Sequence, residues 1–144
     1  MITRFNLRVY AIIIRGEEIL LADESINDFS FTKFPGGGVE LGEGIMEALK
    51  RELMEEGEII VNEVEHLYTT DFFQPSAFNP AEQIISVYYL VKADIHWPEY
   101  VSDQSSTGKK HLLRLYFYPL VNLQAEHLTF PIDQHVLQKL RTHI

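Results

Sequence analysis

The sequence predicts an α/β fold, a mixed sandwich rather than a regular alternation of strand and helix. Two observations carry this. Runs rich in β-branched and aromatic residues recur in both halves of the chain, while only two segments have helical spacing, one mid-chain and one at the C-terminal end. At 144 residues and 46% hydrophobic, the chain reads as one domain over residues 1–144 with apolar mass for a substantial core.

Residues 7–14 (LRVYAIII) read as a buried strand whose unbroken apolar run hides its period. Residues 15–18 are a turn and 19–22 a returning strand, which makes a hairpin. A polar loop is expected over 23–30, then an alternating segment, 31–34 (FTKF), leading into Pro35. Residues 59–67 alternate in part and continue through 68–73 as one long, bulged strand. Residues 74–82 (QPSAFNPAE) carry two prolines and no period, so they form a loop long enough to be functional. Substrate recognition is expected over residues 72–82, where Phe73 and Phe78 would offer apolar faces to a base or else pin the loop to the core. Residues 84–91 (IISVYYLV) are a strand buried on both faces, 95–110 a second loop, and 112–118 a strand closed by Pro119. From 131 to 144, Ile132, Val136, Leu137, Leu140 and Ile144 fall at helical spacing, with Asp133 near the start, where negative charge suits the macrodipole.

The stretch from Pro35 to Ile59 (PGGGVELGEGIMEALKRELMEEGEI) carries most of the chemistry. At about 100° per residue, Ile45, Ala48, Leu49, Glu55 and Glu56 lie within about 60° of Glu52. An apolar, core-facing stripe thus runs on as an acidic one. Unpaired carboxylates on a burying face are costly, and a divalent cation would remove the cost. Mg²⁺ is the hard-oxygen candidate, with Mn²⁺ the alternative. The competing reading is an exposed, salt-bridged helix. Gly36, Gly37 and Gly38, which let the backbone approach a ligand closely just before the helix, favour the site.

The spacing of Gly37, Glu43 and then Arg51-Glu52-Leu53-Met54-Glu55-Glu56 resembles the Nudix box of the Nudix hydrolases, and Pro35-Gly36-Gly37 resembles their lead-in. Ile59 fits the apolar position that closes the box, but Glu58 stands where the family expects glycine, and Gly57 precedes it. The helix is therefore expected to end one residue early, with Gly57 at positive φ. The resemblance implies an α/β/α sandwich around a mixed sheet and Mg²⁺-dependent hydrolysis of a pyrophosphate bond in a nucleoside diphosphate linked to another group. It also implies Glu52, Glu55, Glu56 and the Gly37 carbonyl as metal ligands, Arg51 orienting Glu55, and Glu43 bracing the loop. Glu55 is the candidate general base, with Asp103 and Glu99 of the second loop as other acids. Phe31 and Phe34, at the rim in the family, are candidates for stacking on a base, or else core. A Nudix-fold ligand sensor or interaction module without turnover is the alternative function.

Composition narrows the field further. The net charge of -9 argues against binding a nucleic-acid backbone, which needs clustered Lys and Arg. No apolar run spans a bilayer and no signal region opens the chain, so a cytoplasmic, membrane-free protein is expected, with a homodimer left open; the small nucleotide substrate is what the resemblance implies. Without cysteine there is neither disulfide nor thiolate site. His66, His96, His111, His127, His135 and His143 show no metal spacing, and neither a Gly-x-Ser-x-Gly nor a Walker sequence occurs. Lys109, Lys110 and Arg114 are available to a phosphate or to flank a loop.

Overall fold

The structure is a computed structural model and describes residues 1–143. Nine strands and two helices follow in the order β1 (Arg4–Ile12), β2 (Ile14–Arg15), β3 (Glu18–Ile26), β4 (Phe29–Lys33), β5 (Gly36–Gly38), α1 (Ile45–Gly57), β6 (Ile60–Thr69), β7 (Glu82–Asp94), β8 (Glu99–Asp103), β9 (His111–Pro119) and α2 (Pro131–His143). They build two sheets, β5-β1-β7-β6 and β2-β3-β9-β8, the latter with β4 on β3. The β1–β7 pair is parallel and all other pairs are antiparallel. No helix among the described residues is long and apolar enough to cross a membrane.

The unbroken apolar run of β1 is explained by burial on both faces. Val9, Ala11 and Ile13 join Leu20 and Ala22 of β3 against Ala48, Leu49 and Leu53 of α1. Tyr10 and Ile12 join Ile19 and Leu21 against Ile132, Val136, Leu137 and Leu140 of α2. One helix covers each face, so the α/β/α sandwich is present, built on two sheets rather than one. Ile144, expected on the α2 stripe, lies outside the described residues.

Four expectations need correcting. The 7–22 hairpin survives only as Ile14–Ile19 and Arg15–Glu18, because the chain crosses between sheets after Ile12 and leaves β1 beside β7. The expected loop at 23–30 is the end of β3 and the start of β4, joined at Asn27, whose φ is 52°. Its polar residues hid the strand because they have partners across it: Asp23 Oδ1 accepts from Thr32 Oγ1 at 2.7 Å and Tyr116 Oη at 2.9 Å. The long strand stops at Thr69, with register shifts at Val61/Glu63 and His66/Tyr68. The second loop contains β8, an edge strand on β9 that is exposed and weakly patterned.

The end of α1 needs correcting as well. Gly57 is helical, and it is Glu58 that sits in the left-handed region at φ 54°, ψ 39°. The Glu58 N–H donates to the Met54 carbonyl at 3.0 Å and that of Ile59 to Leu53 at 3.2 Å, which closes the helix as a left-handed cap does. Gly57 is required for packing instead: a Cβ there would lie 2.6 Å from Leu115 Cδ1 and 3.0 Å from Trp97 Cζ2.

Candidate active site

A cavity of about 720 Å³ opens between the sheets, with β1, β3, β4, β5 and α1 on one side and the 74–82 loop and the start of α2 on the other. Its floor is the β5 glycine strand laid against α1. At Gly36, φ is +140° and a Cβ would lie 2.2 Å from the Val9 carbonyl oxygen, so no other residue fits. At Gly37 a Cβ would lie 2.6 Å from the Glu52 carboxyl carbon. The second glycine lets a carboxylate of α1 rest against bare backbone.

Arg51 organises the acids beside this floor. Its guanidinium donates to both Glu43 carboxylate oxygens at 2.6 and 3.0 Å, to Glu52 Oε1 at 3.0 Å, to Glu55 Oε2 at 3.4 Å and to the Gly38 carbonyl at 2.9 Å. The Arg51 hydrogen bonds hold the Glu43 carboxyl down to about 2, an anion across the pH range of life. Glu43 Oε1 also accepts the Glu40 N–H at 2.9 Å, which pins the 39–44 loop to the helix.

Glu52 and Glu56 differ from Glu55 in being sheltered. Burial raises the Glu52 carboxyl above its ordinary value and pushes Glu56 up to about 7. Glu56 Oε1 accepts the Gly36 N–H at 2.9 Å, and Glu56 Oε2 lies 3.9 Å from Lys33 Nζ. Lys33 is buried too; burial alone would lower its pKa, yet the facing carboxylates of Glu56 and Glu24 hold it above the usual lysine value. Lys33 therefore stays charged at neutral pH, and Glu56 is the incompletely compensated partner. The predicted convergence of three glutamates is not formed: among the described residues no three acidic or histidine side chains close on one point, and Glu55, 59% exposed, leans on Arg51. The donor set still fits one hard cation, since two sheltered carboxylates beside backbone carbonyls carry more negative charge than their partners offset, and Glu52 Oε2 takes no hydrogen bond among the described residues.

Another part of the lining is aromatic. Phe31, Phe78 and Phe130 line the cavity with ring centroids 5.4 to 6.1 Å apart, and Phe29 packs behind them at 5.4 Å from Phe31. Of the phenylalanines singled out in the sequence, Phe31 and Phe78 are therefore in place. Phe34 is fully buried against Tyr88, and Phe73 is exposed outside the cavity. Asp103 is likewise outside: it caps the Ser105 N–H at 3.0 Å on an exposed edge, while Glu99 pairs with Arg114. Lys109 lines the cavity mouth, and Lys110 and Arg114 do not.

Sequence reading missed Arg8, Glu24, Lys33, His111, Phe130 and Asp133, all of which line the cavity. Glu24 pairs in register with Phe31, two residues before Lys33, so period 2 puts all three on one face. That signal was present but unreadable while 23–30 counted as loop. His111 Nε2 lies 2.9 Å from Glu24 Oε2. Asp133, 3% exposed at the start of α2, accepts a short hydrogen bond from the Tyr88 hydroxyl.

Comparison with known proteins agrees with this fold. The model of the NUDIX domain family matches residues 4–133. A MutT structure described from Aliivibrio salmonicida and Vibrio cholerae is 22% identical, with TM-score 0.66 over 97% of this chain and 99% of that one. A MutT NUDIX hydrolase from Burkholderia pseudomallei is 19% identical, with TM-score 0.67 over 94% and 98%. An ADP compounds hydrolase is 16% identical, with TM-score 0.67 over 96% and 72%. At such identities the likeness is one of fold. No curated protein matches the chain.

Proposed function

Because this chain belongs to the NUDIX domain family, we propose that it hydrolyses the pyrophosphate bond of a nucleoside diphosphate linked to another group, with Mg²⁺ as cofactor. The observation that carries the reading is the glycine floor. Gly36 to Gly38 presents bare backbone directly against Glu52 and Glu56, in a cavity that is also lined by aromatic rings. Phosphates suit the first group and a base the second. Glu52, Glu56, the Gly37 carbonyl and Glu55 would hold the cation, which supplies charge neutralisation of the pyrophosphate and a bound water of lowered pKa.

The chain's own groups do the positioning. Arg51 holds Glu52 and Glu55 to one side of α1 and is itself held by Glu43, so the acids keep their direction when a polyanion arrives. Arg8 and Lys109 face the cavity and are available to phosphate oxygens. Glu55, the exposed acid, is the general base: the proton of the attacking water passes to its Oε1, because Oε2 is taken by Arg51. The water oxygen forms the new P–O bond, and the bridging oxygen leaves with its electron pair on the other phosphate. The base of the substrate lies against Phe31, Phe78 and Phe130.

Incubation with nucleotide sugars, dinucleoside polyphosphates, ADP-ribose and nucleoside triphosphates, with and without Mg²⁺, tests this directly. Metal-dependent release of two phosphate-bearing products from one class is expected. Tight binding with no product anywhere in the panel would favour a ligand sensor instead.

A further inference from the structure

The acidic cluster already holds a cation of its own. Lys33 is 4% exposed, and its Nζ lies 3.0 Å from Glu24 Oε1 and 3.9 Å from Glu56 Oε2. The same ammonium donates to the Gly36 carbonyl at 3.1 Å and the Phe34 carbonyl at 3.2 Å. Two carboxylates and two backbone carbonyls around a point charge are the kind of oxygen set that a hard divalent ion takes. The ring of Tyr10, centred 5.3 Å from Nζ, closes another side.

We propose that the Lys33 ammonium, seated between Glu24 and Glu56, stands in the place of a metal ion and confines metal to the Glu52 and Gly37 side of the cluster. The inference rests on the metal-dependent reading above. A divalent ion between Glu24 and Glu56 would meet an ammonium already within 4 Å of both. Lys33 is 4% exposed, and its hydrogen bonds to Gly36 and Phe34 tie it to the backbone that shapes the floor. Gly36 links the two halves, donating its N–H to Glu56 Oε1 while its carbonyl accepts from Lys33. The ammonium therefore fixes the direction of Glu56 before any metal arrives, which makes Lys33 a positioning residue. It also offsets part of the negative charge of Glu24 and Glu56 in the metal-free protein.

The test counts Mn²⁺ bound per chain by electron paramagnetic resonance and follows thermal unfolding in EDTA and in saturating Mn²⁺. Wild type, Lys33→Met and the double variant Lys33→Met/Glu24→Gln are compared. Lys33→Met should melt several degrees below wild type in EDTA, recover in Mn²⁺ and bind one more Mn²⁺ per chain. The double variant should lose that additional ion. An unchanged count in folded Lys33→Met, or a loss of stability that Mn²⁺ does not repair, would reduce Lys33 to a structural ion pair and overturn the proposal. Wild type that takes up no Mn²⁺ would sink the metal-dependent reading. Uptake by Lys33→Met alone would then still uphold the role of the ammonium, and uptake by neither would overturn both.

Discussion

Glu52, partly sheltered, and Asp133, buried, are two acids for which the structure implies opposite experiments. Glu52 is sheltered beside Gly37 and raised by burial, so Glu52→Gln should abolish turnover by orders of magnitude while the metal-free protein unfolds at the same or higher urea concentration. Steady-state rates with Mg²⁺ within a few-fold of wild type would reject its role. Asp133 is held up to about 6, first by burial, against an ordinary 3.8. The native state thus keeps a proton that the unfolded chain releases between those values. Stability falls as pH rises through that window and is level above it. Asp133→Asn retains an acceptor for the Tyr88 hydroxyl and has no charge to bury, so its advantage over wild type should grow from nothing near pH 3.8 to at most ~3 kcal/mol at pH 7. Urea titrations of both proteins across this range decide it. A constant difference would show that Asp133 does not titrate there.

At the scale of elements, the end of α1 and the 74–82 loop carry predictions. Glu58 occupies a left-handed position at φ 54°, so Glu58→Gly should stabilise by ~1 kcal/mol through relief of Cβ strain. Gly57→Ala should destabilise by ~1–3 kcal/mol, because its methyl group meets Leu115 and Trp97 in a packed core. Chemical unfolding of the pair gives both signs, and a stabilising Gly57→Ala would contradict the packing account. The loop is braced internally: Ser76 Oγ accepts the N–H groups of Phe78 and Asn79 at 3.1 and 3.2 Å, and Asn79 Oδ1 that of Ala81 at 2.9 Å. It therefore presents Phe78 to the cavity in a set position. Phe78→Ala should raise KM for the cleaved nucleotide about tenfold, on the scale of a lost base–aromatic stack, while Phe73→Ala leaves KM unchanged. Equal KM values for both variants would place the base elsewhere.

At the scale of the molecule, the proposed metal site makes stability depend on the cation. Mg²⁺ bound to the native state alone should raise unfolding free energy by ~2.7 kcal/mol at a hundred times its Kd, an effect absent in Glu52→Gln. Thermal scans with Mg²⁺ and with EDTA check this. What the sequence alone determined is local and periodic. Both helices, the acidic stripe of α1, the glycines before it and the doubly buried strands of β1 and β7 follow from 3.6-residue and strand patterns that neighbours in the chain dictate. The spacing that resembles the Nudix box is local in the same way, lying within one loop and one helix. Only the tertiary structure decided that β1 leaves its hairpin to lie parallel to β7, that Gly57 answers to Leu115 rather than to its own φ, and that Phe31 and Phe78 meet Phe130 while Phe34 enters the core. It alone set Lys33 between Glu24 and Glu56. Those outcomes depend on register across sheets and on burial shared by segments far apart in the chain, and a polar strand such as 23–26 shows its pattern only when the partners that satisfy its side chains are in place.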